Sequence, residues 1–363
     1  MPRVHLFESL RGLLAVWVIV HHAVLTSGLD SDRWPFPLSL FGQGGYAVDV
    51  FIILSGFVIF FLLDNETETY GRFITRRVFR LYPVYLTSLL VSAPLIPFYL
   101  STLKALPWWH PHTSLRIQHF SDTLQYYWAH FFSHVLMLHG LVPDRLLPSS
   151  DYAFVGPSWS ISLEWQFYLV APLFYLCISG KKIGRLALLI ALLFLLRGFY
   201  PGGPGFLPLK AEFFFTGIAA YYGYRFVVRH REVLESSALL VAALPFLFTL
   251  FWISSVPMVL FSAVYSIVLA TVLMPGSRVV KATLWLFERK SLLYAGRISY
   301  CLYMTHMVIL LAWAHFLIPF FKNQAAFFVT LLGAVLISTF LVSTLVSRYI
   351  EYPGIAWGKR LTK

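Results

Sequence analysis

The chain has 363 residues, of which 58% are hydrophobic and only 12% charged, and its mean hydropathy is +0.72. This composition excludes a soluble catalytic domain, because apolar stretches long enough to cross a bilayer as helices recur along the whole length. The net charge of +12 would suggest a nucleic-acid partner for a soluble protein, but here loop placement around a membrane explains it and no such partner is predicted. The two cysteines, Cys177 and Cys301, show neither metal-type spacing nor a disulfide framework.

Ten apolar segments are predicted to cross the membrane as helices. They lie near 7–27, 46–63, 80–100, 159–179, 183–199, 209–227, 236–254, 256–275, 292–317 and 326–348. A shorter apolar stretch, 126–142, is predicted to be interfacial or re-entrant. The expected fold is therefore an all-α polytopic membrane protein of about ten transmembrane helices plus that segment, in one membrane domain over 1–363, without an appended soluble domain.

Basic residues set the predicted orientation. With the N-terminus in the cytoplasm, the arginine-rich loop at 72–80 lies inside, as the positive-inside rule requires. If 126–142 does not cross, the basic segments at 181–185, 225–231 and 278–290 and the C-terminal tail also lie inside. Both termini are then cytoplasmic. The long outer segment, roughly 101–158, is rich in aromatic residues, which either mark the lipid interface or form a platform for a sugar.

The first span carries an arginine and a histidine on one helix face. Arg11 and His22 are eleven helical steps apart, about three turns plus roughly 20°, so they stand ~16 Å apart along the axis. Ionisable side chains inside a membrane helix are costly and are functional candidates. His21 points about 100° away from His22 and is expected to matter less.

Three further titratable residues are predicted at the depth of His22, in the outer half of the membrane: Asp49, Glu164 and His306. A carboxylate beside a histidine fixes its tautomer and supports general-base catalysis, and the sequence does not choose between Asp49 and Glu164 for that role. Each residue alone is equally consistent with a polar group hydrogen-bonded to a neighbouring helix. The four together are also a plausible metal ligand set, but no local ligand-pair spacing supports one, so no metal is predicted.

The cytoplasmic ends of the spans are basic at Arg11, Arg76, Arg77, Arg80 and Arg297. One interpretation is ordinary positive-inside topology. The other is a phosphate site, because guanidinium groups bind phosphate oxygens bidentately.

A phosphorylated cytosolic donor with a long, thin arm would connect the inner basic layer with the outer-half histidine, and coenzyme A has this form. A histidine base would then activate an acceptor hydroxyl for attack on the thioester. Ser299, Tyr300 and Tyr303 are candidates to bind the donor and to stabilise the oxyanion.

Six motifs in chain order resemble those of the membrane acyltransferase-3 family. They are Phe7-Glu-Ser-Leu-Arg11 followed by His22; Gly44-Gly45 with Asp49-Val-Phe51 to Phe57; Arg77-Val-Phe-Arg80-Leu-Tyr82-Pro83; Trp159-Ser160 with Glu164 and Phe167-Tyr168; Ser299-Tyr300 with Tyr303 and His306; and Glu351-Tyr352-Pro353. The departures are small: Trp165 stands where a second Glu is common, and Ala47 lies in a stretch that is usually richer in glycine.

The resemblance implies transfer of an acyl group from cytosolic acyl-coenzyme A to an acceptor hydroxyl, with roles for Arg11 and His22 and for the Arg77/Arg80 pair, whose motif includes Tyr82. The predicted protein is an O-acyltransferase of the bacterial inner membrane that uses acetyl-CoA, acts on a carbohydrate or glycolipid and has lipid as a further partner. The alternatives are acylation of a small molecule such as a macrolide antibiotic and, in another class, a proton-coupled transporter. Paired interrupted helices, which are typical of transporters, are not evident in the sequence.

Overall fold

The computed structural model describes residues 2–199, 202–253 and 255–363. Within these ranges the secondary structure is helical, with no strand. Eight helical stretches are long and apolar enough to cross a membrane: His5–Thr26, Gly44–Asn65, Tyr70–Lys104, Gly156–Ser179, Arg231–Ile253, Val256–Leu273, Ser299–Phe320 and Gln324–Leu361. The prediction of an all-helical polytopic membrane protein is confirmed at this level.

The α-helices follow one another with short 3₁₀ or π turns between some of them. They are α1 (Pro2–Thr26), α2 (Gly44–Asn65), α3 (Tyr70–Ser92), α4 (Ile96–Lys104), α5 (Pro111–Gln125), α6 (Tyr127–Val135), α7 (Trp159–Ser179), α8 (Ile183–Phe199), α9 (Leu207–Arg229), α10 (Arg231–Leu234), α11 (Ala238–Phe248), α12 (Val256–Leu273), α13 (Arg278–Phe287), α14 (Lys290–Arg297), α15 (Ser299–Leu317), α16 (Gln324–Val346) and α17 (Tyr352–Leu361).

Most predicted segments coincide with helices, and the differences have local causes. α3 begins ten residues before the predicted 80–100 span, because the Thr69 side chain accepts a hydrogen bond from the Arg72 backbone N–H and caps the helix. A 3₁₀ turn at Ala93–Leu95, which contains a proline, separates α3 from α4. The predicted 292–317 span is divided at Ile298 into α14 and α15.

The count of ten spans stays a prediction. α8 and α9 occupy the two remaining segments, but α8 has only 17 residues and charged and polar side chains make α9 less apolar, and neither is among the eight. α6 has only nine residues, ~13 Å of helix, which is too short to cross the hydrocarbon core.

The end of α6 contacts the middle of α3. Tyr82 donates to the Val135 carbonyl and Tyr85 to the His134 carbonyl, each at 2.9 Å. These contacts favour a re-entrant over an interfacial segment, although its position in a membrane stays a prediction.

The described helices divide into two compact units, and the prediction of one membrane domain over 1–363 stays a prediction. The first unit contains the chain up to Ala15, Gly45–Glu66 and Ala211–Ser299. Aromatic rings pack in its core: the Phe57 ring centroid lies 4.9 Å from that of Phe7 and 5.8 Å from that of Tyr221. α2 and α9 approach so closely that a Cβ on Gly217 would lie 2.0 Å from the Ile53 carbonyl oxygen.

The second unit contains Val16–Gly44, Thr67–Lys210 and Tyr300–Lys363. Its outer segment folds back on α7, because Gly140 N–H donates to Ser162 Oγ at 3.1 Å. Asp151 Oδ2 accepts from Gly205 N–H at 2.9 Å, and burial raises the pKa of this carboxyl to about 7. These contacts fix the outer segment onto the unit that carries His22 and His306.

Candidate functional site

The second unit brings together two histidines that the sequence placed at one depth. His306 Nε2 lies 3.4 Å from His22 Nδ1, and the ring centroids are 5.1 Å apart. His306 is fully buried on α15. Because α1 and α15 are remote in sequence, this pair is assembled only by the fold.

Backbone carbonyls assign the tautomers of both rings. His306 Nδ1 lies 2.7 Å from the Tyr303 carbonyl oxygen, and His22 Nδ1 lies 2.9 Å from the Val18 carbonyl oxygen. Since a carbonyl only accepts, each neutral ring carries its proton on Nδ1 and its lone pair on Nε2. The single His22 Nδ1–H is then shared between the Val18 carbonyl oxygen at 2.9 Å and His306 Nε2 at 3.4 Å, and His22 Nε2 is the basic atom of the pair.

Two carboxylates, on α2 and α7, were predicted to orient His22. Glu164 lies on α7 in the same unit and accepts a hydrogen bond from Tyr168 one turn later. Asp49 is buried on α2 and belongs to the first unit. Which of the two orients His22 stays a prediction. The sequence did not predict that His306 would contact His22 Nδ1.

His21 explains one of the glycines that the sequence singled out. A Cβ on Gly44 would lie 2.5 Å from the His21 ring, and the His21 and His22 centroids are 5.0 Å apart. His21 thus packs against the start of α2, and Gly44 provides the space for it.

The two tyrosines of α15 bond to neighbouring segments. Tyr300 donates its hydroxyl proton to the Leu81 carbonyl at 2.7 Å, and the Tyr303 hydroxyl lies 3.0 Å from the Pro157 carbonyl and 2.8 Å from Ser160 Oγ. Ser299 is buried and belongs to the first unit. A role of these hydroxyls in oxyanion stabilisation stays a prediction, and it would require an exchange of the tyrosine bonds.

The arginines of α3 have different surroundings. Arg80 forms an ion pair with the fully buried Glu351 carboxylate. Arg76 pairs with Glu68 at 3.0 Å and also bonds Thr362.

Arg77 is held by aromatic rings instead. Its guanidinium lies 5.6 Å from the Phe73 centroid and 5.9 Å from the Tyr168 centroid. Its Nε is buried and has no hydrogen-bond partner among the described residues. Of the three arginines, Arg77 therefore has the most capacity for a further anion.

One polar residue near the histidines was given no role by the sequence. Arg116 of α5 donates from Nη1 to Thr26 Oγ1 at 2.9 Å, four residues after His22 on α1. Burial lowers the pKa of its guanidinium to about 10, so it is still charged at neutral pH. A single arginine in the long outer segment gives no sequence signal of such a contact.

Comparison with known proteins identifies the family. An acyltransferase domain model matches residues 4–348. The chain belongs to the acyltransferase-3 family. This confirms the resemblance carried by the six sequence motifs and favours acyl transfer over proton-coupled transport.

Similarity to individual proteins is more limited. "Acyltransferase MdmB" of Streptomyces mycarofaciens is 30% identical over 199 residues, which cover 51% of this chain and 43% of that protein. The match thus spans less than half the length of this curated relative. No solved structure matches the chain.

Proposed function

We propose that this acyltransferase-3 member is an integral-membrane O-acyltransferase that moves an acyl group, in the simplest case acetyl, from cytosolic acyl-coenzyme A to a hydroxyl of a carbohydrate or glycolipid. The observation that carries the proposal is the His22–His306 pair. In the assigned tautomers His22 Nε2 has a basic lone pair, and the neutral His306 ring presents Nε2 as an acceptor to His22 Nδ1. Membership of an acyltransferase family supplies the reaction class.

In the proposed reaction His22 Nε2 takes the proton of the acceptor hydroxyl while the hydroxyl oxygen attacks the thioester carbonyl carbon. The tetrahedral intermediate collapses, the carbon–sulfur bond breaks and the coenzyme thiolate recovers the proton from His22. The Val18 carbonyl oxygen and His306 Nε2 share the His22 Nδ1–H, so together they hold the ring in position and stabilise the imidazolium. General-base catalysis of this type contributes about 10²- to 10⁴-fold in rate.

Arg77 of α3 is proposed as the principal ligand of the donor phosphates at the cytoplasmic end, and a role for Arg11 of α1 rests on the sequence motif alone. Arg77 is supported by its buried Nε and by the aromatic rings that hold its guanidinium. Arg76 and Arg80, which pair with carboxylates, are proposed to shape this region, and Tyr82 to position α3 against α6.

A carbohydrate acceptor is supported by the outer segment. Trp109 and Trp128 are 73% and 66% exposed, and exposed indole rings are suited to stacking on sugar faces. A small hydrophobic acceptor such as a macrolide would instead need an apolar cleft.

The test is acyl transfer by the purified protein in detergent. We expect label from acetyl-CoA carrying a labelled acetyl group to appear in an alkali-labile ester of an oligosaccharide or glycolipid, with one thiol released per ester. Label on a macrolide alone would show that the acceptor class is wrong. Absence of thiol release and of ester formation across a panel of glycans, glycolipids and macrolides would contradict the reaction itself.

A further inference from the structure

Arg116 presents an unusual hydrogen-bonding pattern beside the histidine pair. Nη1 donates to Thr26 Oγ1 at 2.9 Å, and Thr26 is fully buried. Nη2 is buried as well, but it has no hydrogen-bond partner among the described residues. One end of the guanidinium is therefore fixed, while the other retains donor capacity inside the protein.

The bond from Nη1 to Thr26 places Arg116 beside the last turn of α1, one turn after His22. Thr26 follows His22 by four residues, so the two side chains lie on one helix face about 6 Å apart along the axis. The charge of Arg116 interacts electrostatically with His21, His22 and His306. No carboxylate pairs with Arg116 in the described part of the chain.

A buried guanidinium without a carboxylate is expensive, and its cost falls when negative charge develops next to it. Acyl transfer creates such a charge on the thioester carbonyl oxygen when the acceptor oxygen adds to the carbonyl carbon. A donor that is already desolvated stabilises that charge without reorganisation.

We propose that Arg116 is the oxyanion donor of this protein, with Nη2 hydrogen-bonded to the carbonyl oxygen of the tetrahedral intermediate. In this step the acceptor oxygen bonds to the carbonyl carbon, its proton moves to His22 Nε2 and the C=O π electrons become the oxyanion. When the C–S bond breaks, the C=O bond re-forms and the Arg116 hydrogen bond weakens. The inference rests on the proposed acyl transfer.

A purely structural role would also explain an arginine bonded to Thr26, since that bond fastens α5 to α1. Thr26→Val separates the two possibilities, because it removes the acceptor of Nη1 and leaves Nη2 in place. Arg116→Met removes both donors at similar side-chain length. Arg116→Lys retains the charge, but its compact ammonium does not reproduce the fork of the guanidinium.

The experiment compares kcat and KM for acetyl-CoA among wild type, Arg116→Met, Arg116→Lys and Thr26→Val, with thermal unfolding as the measure of folding. Arg116→Met is expected to lower kcat by about 100-fold or more with little change in KM, the effect of losing one oxyanion donor. Thr26→Val loosens the guanidinium but keeps Nη2, so it is expected to lower the unfolding temperature as Arg116→Met does and to lower kcat by clearly less than Arg116→Met.

A kcat of Arg116→Met within about threefold of wild type, or an equal loss in Thr26→Val, would overturn the inference. If Arg116→Met does not fold, Arg116→Lys decides: a fall in kcat of about tenfold or more at constant KM supports the inference, and an unchanged kcat overturns it. Wild type without transfer activity would instead contradict the proposed function.

Discussion

At the scale of single residues, the partners of the α3 arginines decide which of them have capacity for a ligand. The sequence offered Arg76, Arg77 and Arg80 as part of a phosphate site, with ordinary positive-inside topology as the alternative. The fold separates them, since Arg80 binds a carboxylate 271 residues away and Arg77 lies against aromatic rings. A partner so distant along the chain cannot be inferred from local spacing.

Substitution of Arg77 should therefore affect coenzyme A binding, and substitution of Arg80 should affect stability. Arg77→Ala is expected to weaken coenzyme A binding by about 10- to 100-fold, the loss of one charge-assisted hydrogen bond, and to leave the unfolding temperature close to wild type. Arg80→Ala should instead lower stability by about 3–5 kcal/mol, because it leaves the buried Glu351 charge without its partner. Titration calorimetry with coenzyme A and thermal unfolding in one detergent measure both effects.

Glu351→Gln is the matched control for Arg80→Ala, because it removes the same ion pair from the other side. It should destabilise less than Arg80→Ala, because it leaves no buried carboxylate without a partner and the Arg80 side chain is 26% exposed, and it should leave Arg77 intact. An Arg77→Ala variant that binds coenzyme A as tightly as wild type would remove Arg77 from the proposed phosphate site.

At the scale of helices, apolar runs predict where helices lie in the sequence but not where one helix packs closely against another. The bounds of α7 and α8 match the prediction, because both helices are predominantly apolar and α7 ends before Gly180. The beginning of α3 does not, since the helix continues through polar residues to a threonine cap. The approach of α2 to α9 was also not predictable, because it depends on glycines in two helices that are remote in sequence.

That close approach predicts a position-specific cost for adding one methyl group. In Gly217→Ala the new Cβ would lie 2.0 Å from the Ile53 carbonyl oxygen and 2.8 Å from the Phe57 backbone nitrogen. The helices must separate, so we expect a loss of about 1–3 kcal/mol and a lower unfolding temperature.

Gly333→Ala provides the control, because no atom lies within 4 Å of its added Cβ on α16. Alanine is the better helix former by about 1 kcal/mol, so this variant should be neutral or more stable. Equal unfolding temperatures for the two variants would show that the α2–α9 contact is not as close as described.

At the scale of the whole molecule, the sequence was sufficient for the family and the helical membrane fold, because motif order and hydropathy are properties of the chain itself. It also placed His22 and His306 at one depth, and the second unit brings them into contact. It could not supply the contact of Arg116 with Thr26, which depends on how the outer segment folds back. The orientation in the membrane stays a prediction that rests on loop charges.

Cysteine labelling in spheroplasts tests this orientation. The native Cys177 and Cys301 are buried, so cysteines introduced at exposed loop positions report accessibility. With cytoplasmic termini, Lys322→Cys before α16 should react with a membrane-impermeant maleimide, and Arg278→Cys at the start of α13 should react only after permeabilisation. The opposite labelling pattern would show the inverse topology, in which the proposed donor site does not face the cytosol.

The most direct test of the central claim is the rate of labelled acetyl transfer from acetyl-CoA by purified wild type, His22→Ala and His21→Ala. We expect His22→Ala to lose about 10²- to 10⁴-fold in rate while it keeps its fold and its coenzyme binding, because only the general base is removed. His21→Ala, which changes the neighbouring ring but not the base, should retain most of the activity. A His22→Ala variant that transfers acetyl at the wild-type rate would contradict the account.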